Sequence, residues 1–287
     1  MKTIFYSLTL VFFCLSSIAY SQNRQLKAFK IYNQKGKEVH WKKVIKKSQD
    51  QDIILMGELH NNALSHWIQF ELISALDDSN QNLKIGAEMF EADNQILIDE
   101  YFQGLINTKS FEGEVRLWNN YNTDYKPILE YAKSNDIPFI GTNIPRRYAS
   151  ALYYKGDSLF DELSPSAKEW ICPLPFEFPR ELECYQGLLA MTGHGGENLA
   201  KSQAIKDATM AHFILKNYTQ GDLFIHLNGN QHSIYKEAII WYLLKANPNL
   251  KTLSFHTEES EDLTWKEEYE GLADFILVID QDIPDSY

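Results

Sequence analysis

The sequence predicts an α/β fold, a mainly parallel β-sheet flanked by helices, with a helical insertion at roughly residues 144–220. Three observations predict it. Six short runs are almost uniformly apolar, as strands covered on both faces are. Segments with helical spacing lie between most of them, and such alternation means a parallel sheet. Between Gly141 and Gly221 no strand-like run occurs, while Pro165, Pro173, Pro175 and Pro179 punctuate helix signals.

The elements follow in order. Met1 and Lys2 open a short positive segment, Ile4 to Ile18 is mostly apolar, and Ala19-Tyr20-Ser21 is a small-x-small pattern. This reads as a secretory signal, residues 1–21, cleaved after Ser21. The remaining 22–287 form a single α/β domain, expected to be exported to the periplasm or the outer membrane's neighbourhood. Phe13 precedes Cys14 where a lipid-attachment motif wants a small residue. The expected strands are Asp52–Met56, Leu83–Ala87, Pro138–Gly141, Leu223–Leu227, Thr252–Phe255 and Phe275–Ile279. Asn62–Leu76 carries Leu64, Trp67, Ile68, Leu72, Ala75 and Leu76 at helical spacing. Asp124–Ser134 is a helix with Pro127 near its start, where proline is tolerated. Leu199–Asn217 and Ser233–Ala246 complete the set, with Pro248 beyond the end of the latter. The residues after Ile279 read as an acidic tail.

The net charge of −12 argues against nucleic acid and anionic lipid as partners. Cys172 and Cys184 could be bridged after export or remain two buried thiols. With no C-x-x-C there is no zinc ribbon, and with no C-x-x-C-H no covalently attached haem. G-x-S-x-G, H-E-x-x-H, phosphate-loop and dinucleotide patterns are also missing.

Candidate chemistry gathers where ligands of open α/β sheets bind, beyond the carboxyl ends of the strands. Glu58 and His60 leave the first strand, Glu88 the second, Asn143 and Arg146 the third, and Asn228, Asn230 and His232 the fourth. Glu88 alone breaks the run Ile85-Gly86-Ala87-Glu88-Met89-Phe90, so its carboxylate must be paired or bound to a cation. Gly57-Glu58-Leu59-His60 and Gly229-Asn230-Gln231-His232 repeat one pattern, G-x-x-H after an apolar strand. Glu58, His60, Glu88 and His232 are a plausible set of metal ligands, for a divalent ion such as Mn, Co or Zn, or of acid–base groups. Arg146 suits bidentate capture of a carboxylate, from a ligand or from Glu58. Gln203 and Asp207 share a helix face with Met210 and Ile214, which points them at a site as readily as at solvent. His66 reads as an ordinary helix residue and His226 as a core histidine. His194, in the glycine-flanked loop "MTGHGGEN", is a candidate ligand-binding residue on a lid, with Met191 the alternative and a solvated loop histidine the plain reading.

The stretches "GELHNNALSHW", "AEMF", "TNIPR", "SQAIKDATMA" and "HLNGNQH" together resemble the ChaN family of exported haem-binding lipoproteins. That family lies in the Tiki superfamily, with the Tiki metalloproteases, TraB proteins and erythromycin esterases. The resemblance runs from Asp52 to Ile279. It implies a parallel α/β core with helical additions, haem as cofactor, and a role in haem or iron uptake. It is compatible with a homodimer and with peripheral membrane association. The Tiki-like alternative implies a metal-dependent hydrolase at His60, His232 and Glu88, with Glu58 beside the first.

Overall fold

The computed structural model describes residues 27–79, 82–191 and 196–287. The expected signal peptide, residues 1–21, lies outside them. Seven strands form one sheet in the order β1-β7-β6-β2-β5-β3-β4. They are β1 Phe29–Asn33, β2 Ile53–Glu58, β3 Asn82–Glu91, β4 Phe139–Asn143, β5 Asp222–Gly229, β6 Thr252–Ser260 and β7 Phe275–Asp280. All pairings are parallel except β1 with β7. The α/β class read from the sequence is the class observed.

The two apolar faces follow the two-residue period of the strands. On β2, Ile54 and Met56 enter one core with Leu223, Ile225 and Leu227 of β5, whereas Ile53 and Leu55 enter the opposite core with Phe224. Before β3 the helices are α1 Trp41–Gln49 and α2 Ala63–Asp77. Between β3 and β4 come α3 Gln95–Phe102, α4 Thr108–Glu114 and α5 Lys126–Ser134. Between β4 and β5 the chain is helical: α6 Arg146–Lys155, α7 Leu159–Glu162, α8 Pro165–Lys168, α9 Glu183–Leu189 and α10 Gly196–Asn217. The last helix is α11 Ile239–Ala246. Among the described residues no helix is long and apolar enough to cross a membrane.

Four local features differ from the sequence reading. β1 is an additional antiparallel strand, too short for its alternation to register. β3 and β6 run on past their apolar stretches, β3 with a register shift between Ala87 and Glu91. The expected helix from Ser233 starts only at Ile239. Tyr235, Lys236 and Ala238 have φ of 59°, 61° and 52°, in the left-handed region that helices exclude, and the Tyr235 N–H instead donates to the Leu272 carbonyl at 2.9 Å. Cys172 and Cys184 are both free thiols, so the bridged alternative is corrected. They pack in different clusters, Cys172 with Ile144 and Ile171, Cys184 against Leu263 and Leu272.

Candidate functional site

The strands β2, β5, β3 and β4 are neighbours, so their four exits share one edge. A cleft of about 660 Å³ opens there. It takes in Glu58, His60, Glu88, Asn143, Arg146, Gln203, Asn230 and His232 from the expected set, and adds Glu91, Arg116, Trp118 and Lys206.

The turn that carries His60 is fixed from both sides. Asn62 caps α2, its Oδ1 accepting from the Leu64 and Ser65 N–H groups at 3.1 Å each, and its Nδ2 donates to Glu259 at 3.0 Å. The terminal segment, read as an acidic tail, is docked: the Ser286 N–H and hydroxyl both donate to the Asn61 carbonyl, at 2.7 and 2.9 Å.

Glu58 is the centre of a buried network. It accepts from His60 Nδ1 at 2.9 Å, from Gln69 Nε2 at 2.7 Å and from the Tyr125 hydroxyl at 2.7 Å, with His66 Nδ1 3.5 Å away. Burial alone would push its carboxyl up, but His66 and His60 outweigh that and hold it well below the usual carboxylate range. Burial pulls His66 down, yet Glu58 and Asp124 raise it to about 9. His60 is raised too, Glu58 and Glu88 overcoming its partial burial. His66 is therefore a member of the site's charge network rather than an ordinary helix residue. Tyr125 reaches Glu58 from a π-helical turn, Tyr121–Tyr125, that precedes α5. Asn120 closes the ring, donating to the His60 carbonyl and to Asp124, each at 2.7 Å.

The second network is as buried. His232 donates Nε2–H to Glu88 at 3.0 Å and Nδ1–H to Asp207, which also accepts from the Tyr185 hydroxyl at 2.8 Å. Burial opposes the imidazolium, but the two carboxylates raise His232 to about 10 and His232 in turn brings Glu88 down to about 2. Glu88 also accepts the Gly229 N–H at 2.8 Å. Asp207 thus faces inward, behind His232, and the Gln203 amide lies 3.1 Å from His232 Nε2. His226 is a buried histidine bonded to Thr142 and Asn228.

The two G-x-x-H segments interlock. Glu58 pairs in register with Gly229 across β2 and β5. A Cβ on Gly229 would lie 2.6 Å from His60 Nε2. A Cβ on Gly57 would lie 2.4 Å from the Phe255 carbonyl oxygen and 2.9 Å from Asn230 Oδ1. Each motif's glycine makes room for the other motif's polar side chain.

The remaining expected residues divide. Asn143 donates to the Glu88 carbonyl at 3.0 Å, and its Oδ1 is buried without a partner. Asn230 is committed to β6, donating to the Thr257 carbonyl at 2.8 Å and accepting its N–H at 3.0 Å. Arg146 lines the cleft without pairing to Glu58, which corrects the internal-pairing alternative; Arg147 pairs instead with Asp93 at 2.6 Å. His194 lies outside the described residues, and Met191 is exposed. Among the described residues no group of three or more His, Cys, Asp or Glu side chains is arranged to hold a metal ion. The four expected ligands form two carboxylate–imidazole pairs, Glu58–His60 and Glu88–His232.

The family model for haem-binding uptake, Tiki superfamily, ChaN, matches residues 44–243, which is 200 of the 287 residues. No curated protein matches the chain in sequence. Among solved structures, ChaN of Campylobacter jejuni, described with cofacial haem binding, is similar with a TM-score of 0.67 at 17% identity, over 88% of this chain and 97% of that one. A succinoglycan biosynthesis protein is similar with a TM-score of 0.51 at 13% identity, over 83% of this chain and 90% of that one. At such identities the likeness shows the fold.

Proposed function

The chain belongs to the ChaN family of haem-binding uptake proteins, and from that premise we propose that it binds haem in the cleft at the carboxyl ends of β2, β5, β3 and β4. The family match over 200 residues carries the reading. Haem is a wide, flat, largely apolar dianion whose iron takes an axial nitrogen, oxygen or sulfur. The cleft's size falls within the range of small-molecule sites. Trp118, whose ring meets the His60 ring edge-on at 4.8 Å, and Ile144 offer apolar contact. His60 offers the ligand atom. Glu58 fixes its Nδ1, which leaves Nε2 at the cleft, the orientation that a carboxylate partner confers on a ligating histidine. His232 has both ring nitrogens committed. When bound, the haem iron would supply an open coordination position and one-electron chemistry. The chain's own residues hold and orient it. Because His60 is raised, iron binding through it competes with its proton.

The positive amino-terminal residues followed by an apolar segment support export, where an uptake protein meets its haem. Titration with haemin tests the proposal. A saturable Soret band in the wild type, weakened in His60→Ala, is the expected result. No spectral change at all would sink the haem reading.

Hydrolysis is the second reading. It is favoured by the same Glu58–His60 pair, with a carboxylate behind one imidazole nitrogen and the other facing the cleft. Turnover of activated esters that His60→Gln abolishes, with metal analysis of the purified protein alongside, would move the assignment there.

A further inference from the structure

The net charge of −12 averages two unlike parts of the chain. Eight of the 27 basic residues fall between Lys27 and Lys47, against the single acid Glu38, which leaves 19 basic and 38 acidic residues for the rest. The fold gathers the eight around the edge strand β1 and along α1, whose Lys47 reaches Asp274 at the start of β7, 3.7 Å away.

On α1 the lysines take one face. Lys42, Lys43, Lys46 and Lys47 are exposed, while Val44 and Ser48 on the other side are buried. Lys30 pairs with Glu38 at 3.9 Å and Lys47 with Asp274, but among the described residues Lys42, Lys43 and Lys46 have no ion-pair partner. Helix stability does not account for this face. Lys46 and Lys47, in the last turn, suit the negative end of the helix dipole, whereas Lys42 and Lys43 stand in the first turn, where a cation opposes it. Lys42 with Lys46 and Lys43 with Lys47 are like charges four apart, which weakens a helix further.

All eight cations are lysines, with no arginine fork among them. Compact ammonium groups on flexible stems suit negative charge spread over a surface better than one planar carboxylate. An aromatic pair adjoins them: Phe29, between Lys27 and Lys30, meets Trp67 edge-on at 6.2 Å, and Trp67 is 48% exposed. Tryptophan settles at the level of lipid headgroups.

We propose that this face docks on an anionic phospholipid surface, with the α1 lysines among the headgroups. The whole-chain charge argues against such a partner only while it is taken as uniform. At physiological ionic strength charges are screened beyond about 8 Å, so the lysines nearest the headgroups outweigh the acidic remainder. The residues that line the cleft start at Glu58, outside this stretch, so docking leaves the cleft open. The proposal stands whatever the cleft binds.

The experiment is co-sedimentation with vesicles of phosphatidylcholine alone and of phosphatidylcholine with about one third phosphatidylglycerol. The wild type should pellet with the anionic vesicles only. Raising salt from about 0.1 M to about 1 M, which shortens the screening length from about 10 Å to about 3 Å, should release it. Replacing Lys42, Lys43 and Lys46 together by Gln should weaken binding by roughly tenfold or more. Replacing Lys109, Lys168 and Lys216 by Gln removes the same charge from other exposed positions and should leave binding as it is. Equal pelleting with both kinds of vesicle, an equal loss in the two triple variants, or binding untouched by the α1 substitutions would overturn the proposal. Failure of the wild type to pellet with the anionic vesicles would overturn it too, and a duplex oligonucleotide retained through the α1 lysines in that case would make nucleic acid the partner.

Discussion

Gly229→Ala separates the site from the fold. The Gly229 backbone has φ −61° and ψ 150°, which alanine adopts freely, so the substitution tests space alone. The added Cβ would lie 2.6 Å from His60 Nε2 and 2.7 Å from Cε1, where ordinary contacts are about 3.5–4.0 Å. The imidazole must retreat by about 1 Å. It can do so, because the His60 side chain is 35% exposed and is held mainly by Glu58 at 2.9 Å. Weakening that bond should cost about 1 kcal/mol, a part of the value of a charged hydrogen bond, discounted for solvent screening. Gly57→Ala is the contrast. Its Cβ would meet the Phe255 carbonyl oxygen at 2.4 Å, and that oxygen belongs to the β6 backbone beside β2. Overpacking against fixed backbone should cost about 3 kcal/mol or prevent folding. Thermal melts followed by circular dichroism, with haemin titration of the same samples, give both readouts. Gly229→Ala should lose haem affinity while melting within a few degrees of the wild type. A Gly229→Ala protein as destabilised as Gly57→Ala, or one that binds haem as the wild type does, would refute the reasoning.

Stability should hold a plateau between about pH 4.5 and 6.5. Glu88, brought down to about 2 from 4.5, stabilises the fold above pH 4.5, and that contribution is lost as pH falls toward 2. His66 and His232, raised from 6.5 to about 9 and about 10, contribute fully below pH 6.5 and lose that contribution as pH rises through 9 to 10. Urea melts across pH should show both flanks, and Glu88→Gln should flatten the acid one. Tyr125→Phe removes a 2.7 Å bond to a buried carboxylate and should cost about 1.5–3 kcal/mol by urea denaturation. Removing residues 284–287 deletes both Ser286 bonds to the Asn61 carbonyl, and should speed amide exchange at residues 59–63 by mass spectrometry while the sheet stays protected.

The sheet was legible because a strand buried on both faces is nearly all apolar, and residues 53–56 of β2, 223–225 of β5 and 275–279 of β7 are wholly so. β1 was not, since a five-residue edge strand with Lys30 and Asn33 needs no such run. The break at Ser233 was hidden because three left-handed non-glycine residues leave no trace in composition. At the site, Glu58, His60, Glu88 and His232 were legible as polar residues interrupting apolar strand exits. Their supports were not. His66 and Gln69 sit three apart on α2 and Asn120 and Asp124 four apart, ordinary spacings on any solvated helix. Only the packing of α2 on β2, and of the π-helical turn Tyr121–Tyr125 on α2, turns those residues inward. Tyr185 is likewise brought to Asp207 by the packing of α9 on α10, from 22 residues away.

The doubled G-x-x-H acquires a physical meaning from register. Parallel pairing of β2 with β5 sets Glu58 opposite Gly229, so the second residue of one motif lies beside the first of the other. A side chain at either glycine would occupy space already held by His60 or by Asn230. The histidines then face carboxylates from two different strands, Glu58 and Glu88: His60 is held by Glu58 of its own motif and also feels the charge of Glu88, whereas His232 is held by Glu88 and Asp207, both from outside its motif. One glycine thus governs the position of a histidine in the other motif. That coupling makes the floor a single electrostatic unit, in which both carboxylates are already engaged.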